Sequence, residues 1–401
     1  MIALRGRSAA FGLDAPLSRA VWLLVDRETL TPQRHGRAYL VRNGEEPPDE
    51  FGLYLVADPK HAPASRPWIA LSPLLRHLSA GDVVSASATG EYVRVLWRRA
   101  SPANSVLLTE RCDHYCLMCS QPPKEREDDW LLENARELIR LLPPSTPGIG
   151  FTGGEPTIYG ERLLELLRLC GNLLPDADVH VLSNGRRFAD FGFASAWAGV
   201  GNPRMMVGIP IYGAEPTLHD YVVQAEGAFD ETVRGIVNLG EAGARTEIRV
   251  VIHKQTAPAL PEIAEFIARN LSFVEQVALM GLEMIGFARA NMDEVWIDPV
   301  DYQAELTEAV SLLARRGVRT MIYNHQLCLL DRKLWPFAVR SISDWKNEYH
   351  PECAKCAELD RCGGFFFSAK YRHSDHIKAI EPDGTSPRRQ VLAVSDPVNE
   401  G

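Results

Sequence analysis

The chain lacks any apolar run approaching the ~18 residues that a membrane helix needs. Its opening, MIALRGRSAAFGLD, has no apolar h-region of the secretory kind, so a cytoplasmic location is the expectation. Positive charge is not in excess: the formal net charge is −9. No stripe of Lys and Arg with interleaved aromatics runs through the chain either. A general affinity for nucleic acid is therefore not expected. Cysteine is scarce, at 8 in 401 residues, and all but Cys170 fall in two groups. In a reducing compartment such grouping points to metal binding rather than disulfides. What is plentiful is apolar side chain, 46% of the residues, on a length suited to about two or three domains.

Residues 1–100 read as a β-rich N-terminal domain. The runs RAYLVRN, FGLYLVAD and GDVVSASATGEYVRVLWRR are β-like, and the segments between them are rich in turn residues. Val93, Val95 and Trp97 recur at period two with Arg94 facing the other way, the spacing of one buried strand face. From about residue 101 to 325 strands alternate with amphipathic helices. Leu131, Ala135, Leu138 and Leu142 share a helical face that Pro143 and Pro144 terminate. Six such β/α units imply a parallel sheet with helical crossovers. A partial (β/α)6 barrel fits, and so does an open doubly wound sheet. Residues 326–381 form a late cysteine block, and 382–401 read as a disordered tail.

Chemistry concentrates in Cys112, Cys116 and Cys119, spaced C-x3-C-x2-C in TERCDHYCLMCSQPP after the first strand of this region. Three thiolates can hold three irons of a [4Fe–4S] cube and leave the fourth iron open to a ligand. The competing reading is structural zinc, which normally takes four ligands, with His114 as a crowded fourth. Gly153-Gly154-Glu155-Pro156 closes the next strand. Its glycines permit close backbone approach, and its carboxylate could accept from a cationic amino group; an ordinary turn is the plain alternative. Ser183-Asn184-Gly185 follows the third strand and offers hydroxyl and amide groups, or simply a turn. Arg249 stands among apolar neighbours in EIRVVI, facing either an anionic ligand or Glu247. His219-Asp220 reads as an opening-lining or surface loop, and Cys170 as a core cysteine.

The cysteine spacing, at a strand end and ahead of GGEP, resembles the radical S-adenosylmethionine (SAM) enzymes. That resemblance implies that the open iron chelates SAM, that the GGEP loop (Gly153, Gly154, Glu155) meets its amino group, and that Ser183 and Arg249 help position it. Met118 departs from the pattern, since the position before the third cysteine is aromatic in many relatives. The late block, Cys328, then Cys353-x2-Cys356-x5-Cys362, resembles the reduced twitch or SPASM-type domains of radical SAM peptide maturases. Four thiolates imply a second, auxiliary [4Fe–4S] cluster, with zinc as competitor and His325 as a substitute for Cys328.

TERCDHYCLMCSQPPK, FTGGEPT, VLSNGR and NHQLCLLD…HPECAKCAELDRCGGF together resemble the His-Xaa-Ser system radical SAM maturases (HxsC type) over residues 80–370. The resemblance implies a small precursor peptide as substrate, a reductant such as flavodoxin or ferredoxin, and a second radical SAM maturase acting alongside. A nucleoside, RNA base or small metabolite is the alternative substrate within the superfamily, and a non-enzymatic zinc-binding scaffold the alternative outside it.

Overall fold

The computed structural model describes residues 4–30, 34, 36–42, 45–340 and 348–382. The tail expected over 382–401 lies outside them apart from Pro382. The N-terminal region is β-rich as expected. Its strands are β1 (Arg5–Arg7), β2 (Ala10–Gly12), β3 (Val21–Val25), β4 (Arg37–Val41), β5 (Tyr54–Val56), β6 (Trp68–Ala70), β7 (Val83–Ala86) and β8 (Tyr92–Trp97). They form one mixed sheet in the order β1-β8-β7-β3-β4-β5-β6-β2. On β8, Val93 and Trp97 are buried, and Val95 is half-buried.

The second sheet is built from β9 (Ser105–Leu107), β10 (Gly148–Thr152), β11 (Asp178–Leu182), β12 (Met205–Pro210), β13 (Arg245–Ile252), β14 (Gln276–Gly281) and β15 (Thr320–Tyr323). Every pairing in it is parallel, and the strands lie in chain order from β9 to β15. A doubly wound sheet must reverse its order at a switch point. None occurs here, so the singly wound reading prevails, with β15 as a strand beyond the six expected.

The helices are α1 (Trp130–Leu141), α2 (Glu161–Leu173), α3 (Phe191–Ala198), α4 (Pro216–Val223), α5 (Ala228–Glu241), α6 (Leu260–Asn270), α7 (Phe287–Ala290), α8 (Met292–Val295) and α9 (Gln303–Arg315). Among the described residues no helix is long and apolar enough to cross a membrane. The predicted stripe on α1 is buried: Leu131, Ala135, Leu138 and the following Leu142. Strand side chains alternate between faces. Ile149, Phe151, Val179, Val181, Ile248 and Val250 join helix residues such as Leu138 and Leu167 in the main core. Their strand neighbours His180, Glu247 and Arg249 form a linked polar group off that core. Val21, Val83 and Trp97 of the first sheet also enter the main core, and Arg19 pairs with Glu137 of α1 at 3.0 Å. The two sheets are thereby fixed to one another.

Candidate functional site

Parallel strands deliver all their following loops to one edge, where sites of such folds assemble. The cysteine loop begins beyond β9, and its entry is fixed by a buried carboxylate. Asp128 accepts from Thr109 Oγ1 at 3.0 Å, from the Glu110 N–H at 2.5 Å and from Arg111 Nε at 3.1 Å. The loop then lies on α4: the Tyr115 and Leu117 N–H groups donate to the carbonyls of Val223 and Val222 at 3.1 and 2.9 Å. From the other side the Phe287 N–H donates to the Cys119 carbonyl at 2.8 Å, and Asn291 Nδ2 to the Leu117 carbonyl at 2.8 Å. Met118 is buried in the apolar cluster that backs the loop.

Cys112, Cys116 and Cys119 are brought together. Burial pushes the Cys112 thiol up to about 12, and nearby negative charge from Glu155, Asp113 and Cys119 adds to this. Burial likewise raises Cys116, with Cys119 and Cys112 contributing, and burial raises Cys119. Thiolates crowded out of water in this way need a cationic partner to stay ionised. A set of irons is such a partner, so the donor set fits an iron–sulfur group. Among the described residues no three Cys, His, Asp or Glu side chains converge as around one metal ion. A cluster spreads its thiolates over separate irons and does not ask for that convergence. His114 is buried with neither ring nitrogen partnered among the described residues, and burial pushes it down to about 4. Burial pushes His219 of the neighbouring segment down to about 4 as well.

The GGEP loop lies directly against the cysteine loop. A Cβ on Gly154 would stand 2.1 Å from the Arg111 carbonyl oxygen and 3.0 Å from Cys112 Cβ. A Cβ on Gly153 would stand 2.6 Å from the Thr109 carbonyl oxygen. Only glycine tolerates this approach. The N–H groups of Gly154 and Glu155 donate to the Thr109 and Arg111 carbonyls, both at 2.8 Å.

Glu155 is used differently from the sequence expectation. Its carboxylate is buried and accepts from Thr157 N (2.9 Å), Thr157 Oγ1 (2.6 Å), Ser183 Oγ (2.9 Å) and Asn184 N (2.5 Å). Burial raises its pKa, and these donors oppose the rise. The carboxylate thus ties the GGEP loop to the loop after β11. Ser183 spends its hydroxyl on Glu155 and accepts from the Gly185 N–H at 3.1 Å. Asn184 completes the link by donating to Asp113 Oδ1 at 2.6 Å, and Arg186 reaches Asp113 at 3.1 Å and Glu231 at 2.5 Å. The sequence offers Asn184 as an amide group beside Ser183 but gives no role to Asp113 or Arg186, for which the adjacency of Asp113 to Cys112 is the available signal.

Arg249 takes the ion-pair alternative: its Nη1 donates to Glu247 Oε1 at 2.5 Å, and Nη2 lies 3.0 Å from Met280 Sδ. The pair is not isolated from the cysteines. Tyr212, whose hydroxyl burial raises, feels the charges of Cys116, Arg249 and Cys119. His219 and Asp220 belong to α4 rather than to a surface loop. Pro216 opens that helix and Glu215 caps it; His219 is fully buried, and Asp220 accepts from the Gly227 and Phe229 N–H groups, each at 2.7 Å. Cys170 is buried in α2, the core position expected.

The late cysteines lie near enough to act on one another's charge. Burial raises the Cys328 thiol, and the charges of Cys362, Cys353 and Cys356 raise it further. Burial raises Cys353, with Cys362 and Cys356 adding to it. The Ile380 N–H points to Cys356 Sγ at 3.4 Å. Cys328, distant in sequence, is therefore one of this group. His325 is not available as its substitute: Nε2 meets the Tyr302 hydroxyl at 2.8 Å and Nδ1 meets the Tyr323 carbonyl at 2.8 Å.

Residues 106–267 match the family model of the Radical SAM superfamily. Among curated proteins, the Fe-coproporphyrin III synthase of Methanosarcina barkeri (strain Fusaro / DSM 804) is 29% identical over 163 residues. That alignment spans 40% of this chain and 39% of the relative, so the chain matches about two-fifths of that protein's length. Among solved structures, native anSMEcpe with bound AdoMet aligns over 69% of this chain and 91% of its own at 15% identity, TM-score 0.48. Streptococcus suis SuiB aligns over 56% of this chain and 49% of its own at 14% identity, TM-score 0.43. Likeness at that level carries no argument about activity.

Proposed function

We propose, from the premise that this chain belongs to the radical SAM superfamily through residues 106–267, that it is an enzyme that reductively cleaves SAM and modifies a peptide. One observation carries the enzymatic reading: three half-buried, mutually interacting thiols share a loop onto which the GGEP loop packs, at Arg111 and Cys112, too closely for any side chain on Gly154. Cys112, Cys116 and Cys119 would hold the cluster, leaving one iron for SAM. When bound and reduced, that group supplies the electron that cleaves SAM to a 5′-deoxyadenosyl radical, which abstracts hydrogen from the substrate. The carbonyls of residues 153–155 orient the amino group of SAM. Glu155, Ser183 and Asn184 hold that loop in place, and Arg249 offers the carboxylate a cation once it leaves or shares Glu247.

The reading takes 1–100 as a β-rich domain, 101–325 as a partial barrel core and 326–381 as an auxiliary cluster domain holding a second [4Fe–4S] group. Four protein thiolates would leave that cluster no open iron, which favours relay or support over substrate binding. The peptide substrate and the second maturase rest on the HxsC-type motifs in residues 80–370, and the cytoplasmic location on the opening segment without an apolar h-region. The coproporphyrin in the name of the curated relative favours a second reading, a small-molecule substrate.

Anaerobically reconstituted protein with SAM and dithionite should release 5′-deoxyadenosine, and joint replacement of Cys112, Cys116 and Cys119 by Ala should abolish it. Wild type should hold about 8 Fe, and that variant about 4, if both sites are cubes. Cys353→Ala with Cys356→Ala should lower iron while leaving the SAM-dependent spectrum; one zinc with about four irons in wild type would make the late site zinc. A His-Xaa-Ser repeat peptide, tested with and without the second maturase, should stimulate turnover and change mass. Stimulation by a porphyrin, nucleoside or amino acid instead would remove the peptide assignment.

A further inference from the structure

A cavity that the chemistry above does not use lies where the ends of β13, β14 and β15 meet the late segment. Ile252, Gly281 and Asn324 bring the strand ends to it, and Phe365, Arg372 and His373 line it from the late segment. Its wall is built with care. Asn324 sits in the left-handed region at φ 60°, which a non-glycine residue adopts at a cost. From there its side-chain amide donates to the Gly281 carbonyl at 3.2 Å, and Gln326 Nε2 donates to the Gly364 carbonyl at 2.8 Å. The strand ends and the late segment are thus pinned together, with these amide donors spent. One wall is shared with the cysteine loop. Leu282 and Met284, which follow β14, line the cavity. The chain then turns at Gly286, φ 61°, where a Cβ would stand 2.4 Å from the Cys119 carbonyl oxygen. One short segment therefore separates a group held in the cavity from the loop of the reactive cluster.

The cavity is lined by Arg372 and by no Asp or Glu. His373 spends Nδ1 on the Ala369 carbonyl at 2.8 Å, which leaves Arg372 as the lining group with cationic donors to offer. Arg372 stacks over Trp296, another lining residue, at 5.5 Å. Next to it in the chain, the Tyr371 ring carries two more cations, Arg289 of α7 at 3.9 Å and Lys370 at 5.0 Å. Among the described residues none of these three cations has a carboxylate partner. Glu294, close by in sequence to Trp296, is held by the Tyr221 hydroxyl. A guanidinium stacked on a ring keeps its in-plane N–H donors for a planar carboxylate. Cations gathered without acids, on a chain of net charge −9, repel one another until an anion arrives. The rest of the lining, such as Met284, Ile297 and Phe366, is apolar and suits an aliphatic stem. The free volume is ≈ 50 Å³. That is room for a few waters or the end of one amino-acid side chain, and too little for a flat macrocycle.

We infer that this cavity receives an acidic side chain, Asp or Glu, of the peptide substrate, with Arg372 as the carboxylate's partner and Arg289 and Lys370 as flanking charges. The inference rests on the peptide reading proposed above and adds what that peptide must carry.

The test measures binding to reconstituted holoprotein by titration of labelled peptides: a His-Glu-Ser repeat, its His-Gln-Ser twin and a Gly-Glu-Ser repeat, with N-acetylglutamate as competitor. Wild type should bind the His-Glu-Ser peptide about tenfold or more tighter than the Gln twin, as a charge-assisted contact requires. Arg372→Glu should abolish that preference and Arg372→Lys should keep most of it. Arg234→Glu makes the same charge change at an exposed position of α5 and should leave the preference within about twofold. Equal binding of the Glu and Gln peptides by wild type, or an unaltered preference in Arg372→Glu, overturns the inference. So does an equal loss in Arg234→Glu, which would make the preference one of net charge. So does competition by N-acetylglutamate as effective as the peptide's own, which would assign the cavity to a free acid. Should Arg372→Glu lose iron, the exposed change Arg289→Gln is read by the same criteria. A Gly-Glu-Ser peptide that binds as tightly as the His-Glu-Ser peptide keeps the inference and faults only the His-Xaa-Ser motif. Wild type that releases no 5′-deoxyadenosine with dithionite would fault the enzymatic reading, and the titration would still decide what the cavity takes.

Discussion

Asn184 donates its side-chain amide to Asp113 Oδ1 at 2.6 Å, and with the Arg186 contact to Asp113 it joins the loop after β11 to the loop of the first cysteines. Asn184 also donates its backbone N–H to Glu155 and accepts the Arg186 N–H at 3.1 Å. It is thus common to all three loops of the site. Asp113→Ala should loosen the cysteine loop at a cost of up to about 1 kcal/mol, the solvent-screened value for a charged partner as exposed as Asp113. Iron retained after desalting should fall. Wild-type retention would show that the bond follows the loop's shape rather than fixing it.

Gly154 permits the closest backbone approach in the site, 2.1 Å from a would-be Cβ to the Arg111 carbonyl oxygen. Gly154→Ala must push two loops apart, and both iron content and Tm should drop. Gly171→Ala is the contrast: its Cβ meets nothing nearer than 3.7 Å, and it lies in α2. There alanine should be neutral or stabilising by up to about 1 kcal/mol. Equal behaviour of the two variants would refute the steric account.

Arg249 is held by Glu247, so its value to a ligand depends on what that ion pair releases. Arg249→Ala should weaken SAM binding by about 1.5–3 kcal/mol if the guanidinium meets the carboxylate in a shielded site. The cluster spectrum should not change. Unaltered SAM affinity with a lower Tm would make Arg249 purely an ion-pair residue.

Burial pushes His325 down from 6.5 to about 4. The native ring stays neutral in that window while the unfolded chain takes up a proton. The unfolded state then binds more protons, so stability falls as pH drops from 6.5 toward about 4 and is unaffected above it. The slope from this one group is about 1.4 kcal/mol per pH unit. His325→Gln should be less stable at neutral pH but lose less on acidification, measured by urea unfolding across that range. An unchanged slope would place the acid sensitivity on other histidines.

By itself the sequence determined the alternation of elements, the helix-facing apolar pattern and the identity of the cysteines. These are local properties: a period of two or 3.6 and a spacing within one loop survive in one dimension. Sequence could not choose between singly and doubly wound sheets, because both use the same alternating units and differ only in which strands are neighbours. Nor could it give Glu155 its role. A carboxylate after two glycines reads as a ligand contact until the fold brings Ser183 and Asn184 onto it. His219 read as lining an opening or a surface loop, whereas Pro216 at a first helical turn starts the helix that buries it. Cys328 was named from the sequence with the late block, but its place beside those cysteines and the neighbourhood of Arg5, Arg94 and Arg126 were hidden. Their relationships span long stretches of chain, and only the packing of one sheet and one late segment against the core sets such side chains within reach.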